Sequence, residues 1–430
     1  MLQCGAGRRI INPELGHHLA GYGPDYANTG VHDDLSVTAL YLHDGRRDAL
    51  LLNYDLIGMK REFNKRLRDA AAKAAGIPSE RIFLTNTHTH SGPEIRSYAR
   101  PDRPVPEHIG AYIERLFAWT CEAAVEAKSN AEPCTLHYNF TFAEENMNRR
   151  YSFPDRRFLY IPQNKQLAGQ SEEYVDRELG VVAFRKQGTP NRYKAVVTNY
   201  TCHPLCVGNS SNLCTADFQG VLRRVVEETF EGALCLTTTG AAGDNHPLLP
   251  ESGFSRAEKM GSTLGQLAVA RTYDGIQVDY DTKLRMGYFD LALKARDAET
   301  TRLLPEAEDH RRVPYGMREN VKAYKTCVGL LGVGPLLFVA LPGELVSSLG
   351  ASVKWSSPFL KTYHLYQATD NMGYIVSTNQ YLWGGYEAVT SAYAKGSGEA
   401  LVRKILDGAE SLLKKDPLHL PPRGKMKVGF

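Results

Sequence analysis

Two histidines one residue apart carry the first sign of chemistry in this 430-residue chain. They stand in Thr87-His88-Thr89-His90-Ser91-Gly92-Pro93, directly after a short apolar run at 82–85. In extended chain, residues i and i+2 face the same side, so His88 and His90 are expected to project together from a strand end. Imidazoles so placed suit a metal ion, or one ligand beside one acid–base group. A hydrogen-bonded polar pair gives the same pattern, and unrelated metal hydrolases share HxH. His203, in Tyr200-Thr201-Cys202-His203-Pro204, ends another run of strand type and taken alone reads as a satisfied polar group. Glu344 arrives where an apolar run breaks at Leu341-Pro342-Gly343. A carboxylate there serves a site, or simply favours a helix start through the macrodipole. The loop Thr239-Gly240-Ala241-Ala242-Gly243-Asp244-Asn245-His246-Pro247 is glycine-rich but lacks the lysine of a phosphate-binding loop.

The elements that must position these residues alternate between strand and helix. Strands are predicted at 38–42, 49–54, 82–85, 134–142, 180–184, 194–200, 233–239, 284–293 and 336–341. Helices are predicted at 61–75, about 107–128, 218–230, 257–271, from about 344, and as one long segment from about 386 to 414. No internal repeat is visible, and the polar stretch 297–319 is the best candidate for an insertion. This pattern predicts an α/β fold of the mixed α+β kind: a single large domain with a mixed β-sheet flanked by helices. The domain spans 1–415, and 416–430 form a Pro-rich basic tail.

Composition narrows the function classes. The chain is 43% hydrophobic and 23% charged, which is the balance of a globular domain. Lys plus Arg number 51 against 48 Asp plus Glu, so there is no basic excess to point to nucleic acid as a partner. The eight cysteines form no CxxC pair and are expected as reduced, mostly buried thiols. The uncharged run at 326–343 is broken by Gly329, Gly332, Gly334 and Pro335, which predicts a turn between two buried strands and no transmembrane segment. The first twenty residues lack a signal-peptide pattern. A cytoplasmic location is expected for the chain as it stands, or a secreted or periplasmic one if a leader was removed.

Taken together, the pieces resemble neutral (non-lysosomal) ceramidases. The resemblance is carried by His-Thr-His-Ser-Gly-Pro, Cys-His-Pro, Ala216-Asp217-Phe218-Gln219-Gly220, Gly243-Asp244, Leu-Pro-Gly-Glu, and Gly373-Tyr374-Ile375-Val376-Ser377-Thr378 with Tyr386-Glu387, all in the family's order. Ala20-Gly21-Tyr22, Gly30-Val31-His32 and Asn148-Arg149 extend it to about residues 3–400. The resemblance implies a zinc ion held by His88, His203, Glu344 and Tyr374, with His90 as the nearby acid–base group. It further implies that Arg149 and Tyr386 stabilise the reacting carbonyl, and that Asp217 orients groups behind the metal ligands. The implied reaction is hydrolysis of a linear amide in a small-molecule N-acyl substrate.

Three departures bear on the substrate. Where the family reads Gly-Asp-Val-Ser-Pro-Asn, this chain has Asn245-His246-Pro247 after Gly243-Asp244, which makes Asn245 and His246 candidate substrate contacts. Glu94 and Ile95 replace the two glycines usual after Ser-Gly-Pro, and Arg96, Arg100 and Arg103 follow, which read as solvated loop charges or, more sharply, as a cationic rim meeting an anionic or sugar-like substrate. The sequence also ends without the family's additional β-sandwich domain. A linear amide therefore stays the expected substrate, with ceramide as one candidate, and the alternative within enzymes is a small polar or anionic, carbohydrate-derived N-acyl or ester substrate. An amidohydrolase barrel also uses HxH but needs eight βα repeats, which cannot be counted here. A metal-free binding protein descended from such an enzyme is the alternative outside catalysis. If His90 is the acid–base group, His90→Ala retains zinc and loses turnover; joint loss of metal and activity makes it a ligand.

Overall fold

The computed structural model describes residues 1–21, 26–96, 105–152, 158–160, 173–248, 252–304 and 321–419. Its principal strands are β1 (Gln3–Ile10), β2 (Ser36–His43), β3 (Asp48–Tyr54) and β4 (Ile82–Asn86), with helix α1 (Arg61–Ala75) between the last two and α2 (Glu107–Ser129) after them. The same succession recurs as β5 (Glu132–Phe142), β6 (Glu178–Lys186), β7 (Tyr193–Tyr200), α3 (Asp217–Thr229), β8 (Leu234–Thr239) and α4 (Phe254–Tyr273). It recurs again as β9 (Leu284–Lys294), β10 (Ala323–Val333), β11 (Leu336–Ala340), α5 (Ser347–Ser356), β12 (Lys361–Leu365) and α6 (Ser397–Lys415). Each time three antiparallel strands are followed by a helix that returns the chain to a parallel fourth strand. This threefold repeat of topology is invisible in the sequence, because it is a repeat of strand direction and not of residue type.

The first two units join edge to edge through a short β1–β5 pairing, giving the order β8-β7-β6-β5-β1-β2-β3-β4. The strand Ile276–Val278 pairs beside them on β5. The third unit is a separate sheet, β9-β10-β11-β12. Alternate residues show how the layers stack. Leu51, Phe83, Val182, Phe184, Val197 and Leu236 meet Leu331, Leu336, Phe338, Tyr363 and Leu365 of the smaller sheet. Their neighbours Leu50, Leu52 and Leu84 face α1 and α2, and Val181, Ala183 and Val196 face α3 and α4. On the outer face of the smaller sheet, Leu337 and Val339 pack against Leu349, Val353, Leu401 and Ile405 of α5 and α6. The mixed α/β expectation therefore holds, but with two sheets face to face and helices outside each. Strands buried on both faces read as continuous apolar runs, which is why the pattern could not separate one sheet from two.

Several local expectations change. The strand β1 was not anticipated, since Cys4-Gly5-Ala6-Gly7 has low strand propensity. A Cβ on Gly5 would lie 1.8 Å from the Ala127 carbonyl oxygen, and one on Gly7 2.6 Å from that of Ala123. The glycines are there because α2 lies against the strand's backbone. The long C-terminal helix is instead two, Tyr386–Thr390 and Ser397–Lys415. The turn at Gly334-Pro335 between two buried strands is observed. All eight cysteines are free, and seven of them are buried. Most of the 297–319 stretch and of the C-terminal tail lies outside the described residues. Among those residues, no helix is long and apolar enough to cross a membrane.

Gly5→Ala is expected to cost about 3 kcal/mol, the upper part of the range for overpacking, because a rigid helix backbone blocks the new methyl group. Urea unfolding followed by circular dichroism measures this; a change below about 1 kcal/mol would show that α2 shifts freely.

Candidate functional site

In each unit the third and fourth strands run parallel, so their carboxyl ends open on the same side, where α/β sheets place their ligands. The turn after β4 carries His88 and His90, and the end of β7 carries His203. Beyond β8 lies the 240–247 loop, beyond β11 lies Glu344, and beyond β12 lie Tyr366 and Tyr374. All three units therefore contribute to one point.

The two histidines of HxH meet there, though not as an extended chain would place them. His88 has φ of 71°, a left-handed conformation rare outside glycine, and its ring lies nearly perpendicular to that of His90 at 5.1 Å. Backbone bonds from Thr87 N–H to Tyr54 O and from His88 N–H to Leu56 O hold this turn. The His88 Nδ1 contacts the carbonyl of Ile57 at 2.5 Å, and His203 Nδ1 those of Ala242 at 2.7 Å and Asn245 at 3.0 Å. A carbonyl only accepts, so each Nδ1 carries the proton and each Nε2 presents a lone pair. Those lone pairs converge: one ring nitrogen from each of His88, His90 and His203 lies within 4.8 Å of the others.

Glu344 faces the same point, its Oε2 lying 3.2 Å from His203 Nε2 and 3.6 Å from His88 Nε2. It does not open a helix as anticipated. It sits on the two-residue strand Glu344–Leu345, paired in parallel with Tyr374–Ile375, so Glu344 and Tyr374 stand side by side in register. Gly243 makes this possible: its Cβ would lie 2.8 Å from the Glu344 carbonyl oxygen, and its N–H donates to Leu345. The glycine-rich loop therefore serves close backbone packing behind the carboxylate.

Electrostatics match neutral His90 and His203 rings beside an ionised acid. Burial, then the nearby Arg149, pushes His203 down to about 4. Burial, then His88 and His203, holds His90 well below the ordinary histidine value. Burial opposes charge on Glu344, yet the facing His88 and His203 hold its carboxyl well below the usual range. Burial and the neighbouring Glu344 raise the Tyr374 phenol well above its ordinary value, against the pull of Arg149. Lone pairs on nitrogen and an anionic oxygen, oriented by backbone carbonyls, fit a divalent cation of the zinc type.

Around this cluster the other candidates take distinct places. Arg149 is buried, donating from Nη2 to the Tyr374 hydroxyl at 3.0 Å and to Gly243 O at 2.9 Å. Tyr386, 39% exposed, stands edge-on to Tyr374 at 5.4 Å and is the open member of the group. Asp217 touches no metal candidate; it accepts from the N–H groups of Cys206, Val207 and Phe218 and ties the chain following His203 to the start of α3. Asn245 is fully buried, with its side chain bonded to Asp244 and Asn146 and its carbonyl to His203, so it supports the His203 ring from behind. His246 is 7% exposed and paired through Nδ1 with Pro247 O. Arg96 is committed to Glu94 at 3.0 Å, while Arg100 and Arg103 lie outside the described residues. Sequence reasoning missed Tyr366, whose hydroxyl lies 3.2 Å from Glu344 Oε2, and Glu387, which pairs with both Arg149 and Arg150. Nothing local marks a tyrosine in an apolar run as polar in function.

The layers and the cluster first define a class: a mixed α/β chain of two facing sheets with an imidazole–carboxylate group at the carboxyl ends of its parallel strands. Comparison with solved structures then gives the particular fold. Neutral ceramidase from Pseudomonas aeruginosa matches with a TM-score of 0.75 and 16% identity, over 98% of this chain and 76% of that one. A ceramidase complexed with C2 matches with a TM-score of 0.73 and 15% identity, over the same shares of the two chains. No family profile matches the sequence, and no curated protein matches it. The chain has the fold of the neutral ceramidases, so the resemblance read from scattered motifs extends through the tertiary structure.

Buried neutral histidines make stability depend on pH. His203 is held at about 4, and His246 and His364 at about 3, chiefly by burial, against an ordinary value of 6.5. Unfolding lets them take protons, so their contribution is complete above pH 6.5 and is lost as pH falls below it. Asp370, pushed up to about 6 by burial, acts in the opposite sense and trims the effect. In chelator, the unfolding free energy should drop by about 2–3 kcal/mol between pH 7.5 and 5.5. Urea titrations at the two pH values test this, and equal stability at both contradicts the buried neutral state.

Proposed function

We propose that this protein is a zinc-dependent hydrolase of the neutral ceramidase type that cleaves a linear N-acyl amide. The observation that carries the reading is the convergence of His88, His203 and Glu344 from all three units, with both imidazoles turned by backbone carbonyls to offer Nε2 to one point. Tyr374, beside Glu344 in register, completes the proposed ligand set. A zinc ion at this point supplies Lewis-acid activation of water and of the substrate carbonyl when bound.

The chain's own groups account for the remaining demands of amide hydrolysis. His90 lies within reach of the same point, and as a neutral imidazole it accepts a proton from the attacking water. As the carbon–nitrogen bond breaks it returns that proton to nitrogen, so that an amine and a carboxylic acid leave. Tyr386, the exposed phenol at the rim, donates to the carbonyl oxygen as negative charge develops there. Arg149 holds a fixed positive charge next to both tyrosines. The pairing of Arg96 with Glu94 supports a polar substrate more than an anionic one, since the one described arginine among Arg96, Arg100 and Arg103 already has a carboxylate.

Elemental analysis of the purified protein is expected to find one zinc per chain, and Glu344→Gln to lose most of it. A substrate panel of long-chain ceramide, short N-acyl amino sugars and N-acyl amino acids then sets the class. Protein without stoichiometric zinc, and inert after zinc is added, overturns the enzyme reading. Rapid turnover of ceramide alone overturns the preference for a small polar substrate.

A further inference from the structure

The least expected charge in the molecule is Glu387. It is fully buried in the short helix Tyr386–Thr390, next in sequence to the exposed Tyr386. Its two carboxylate oxygens go to different guanidinium groups: Oε1 accepts from Arg149 Nε at 2.7 Å and Oε2 from Arg150 Nη1 at 2.8 Å. Arg150 is itself completely buried and donates from Nη2 to Gly384 O at 2.7 Å, which closes the bridge onto the turn that precedes the helix. Ordering and desolvating two cations and one anion is expensive, and an apolar core would hold this corner at least as well. The arrangement is therefore of interest for what it aims.

What it aims is Arg149. A guanidinium is planar and rigid, and hydrogen bonds on two of its edges define its orientation completely. Glu387 holds the Nε edge, while Nη2 is placed between Gly243 O and the Tyr374 hydroxyl. Because arginine has no acceptor, the Tyr374 oxygen must accept, and its own proton is turned away from Arg149. The same carboxylate anchors the helix that begins with Tyr386. One buried group thus sets the geometry of both tyrosines.

We propose that Glu387 is a positioning residue for the reaction, acting through Arg149 on Tyr374 and through its own helix on Tyr386. The proposal rests on the hydrolase reading above but is tested separately from it. Glu387→Gln removes the buried negative charge that Arg149 and Arg150 share and risks misfolding. The charge-balanced variant Arg150→Met/Glu387→Gln removes one cation together with the anion. In the metal-free full-length protein carrying isotope-labelled arginine, the Arg149 Nε–H resonance, assigned by its loss in Arg149→Lys, is expected to exchange slowly in the parent and rapidly in the double variant. With zinc present, and a fluorogenic N-acyl amide as probe, kcat is expected to fall at least about tenfold while KM changes less than about threefold, the pattern of lost transition-state geometry. An unchanged resonance with parental kcat overturns the proposal. So does a double variant that fails to fold, since the bridge is then structural. If the parent protein holds no zinc and cleaves no amide, the hydrolase reading fails, and the metal-free resonance still decides whether Glu387 sets Arg149.

Discussion

A carboxylate taken out of water must be surrounded by groups that favour its charge, and Glu344 is such a carboxylate. Its surroundings are two imidazoles from distant chain segments and the Tyr366 phenol of its own unit. The imidazoles come from the other two units, so the site exists only if all three β-β-β-α-β units dock in one arrangement. The close packing of Gly243 on the backbone of Glu344 and Leu345 is the point at which that docking is enforced.

The architecture meets this demand through repetition. Each unit ends in a parallel strand pair, and each pair delivers loops at its carboxyl end. Stacking the third unit as a second sheet over the joined first and second units brings those loops to one place. The apolar contacts between the sheets supply the adhesion, since they remove large side chains such as Phe83, Phe184 and Phe338 from water. The polar contacts supply the aim: backbone carbonyls for His88 and His203, Asp217 for the chain after His203, and Glu387 for Arg149. Fold and chemistry are thus coupled through a few buried hydrogen bonds whose loss leaves the core intact and the ligands misdirected.

Much of the element pattern was legible. The helix Arg61–Ala75 and the strands around β2, β3, β6, β7 and β8 follow from apolar runs and their punctuation by glycine and proline. The strand β1 was not legible, because its glycines answer to a helix packed on them from residues 123–127. The break before Ser397 was hidden for a similar reason, since Tyr381 and Tyr393 are held by tertiary contacts and not by helical periodicity. Within the site, His88 and His90 were found by spacing, yet they reach it through a left-handed turn and not an extended strand. Tyr366 carried no local signal, and Glu387 entered only as part of the Tyr386-Glu387 motif with no role attached, because the partners of both are set by tertiary contacts.

By itself the sequence determined the residue types able to do chemistry, the positions of most strands and helices, and the order of motifs that resembles neutral ceramidases. Those depend on local chemistry and on pattern along the chain. Only the tertiary structure decided that the principal strands form two sheets, that three units share one topology, and that Glu344 stands beside Tyr374 on a short parallel strand. It also decided that Asn245 and Asp217 serve as supports and that Arg149 is aimed by Glu387. Most of these rest on contacts between residues ten to hundreds of positions apart. Such contacts are set by which faces of the layers meet, and a one-dimensional pattern of apolar and polar residues does not encode that choice.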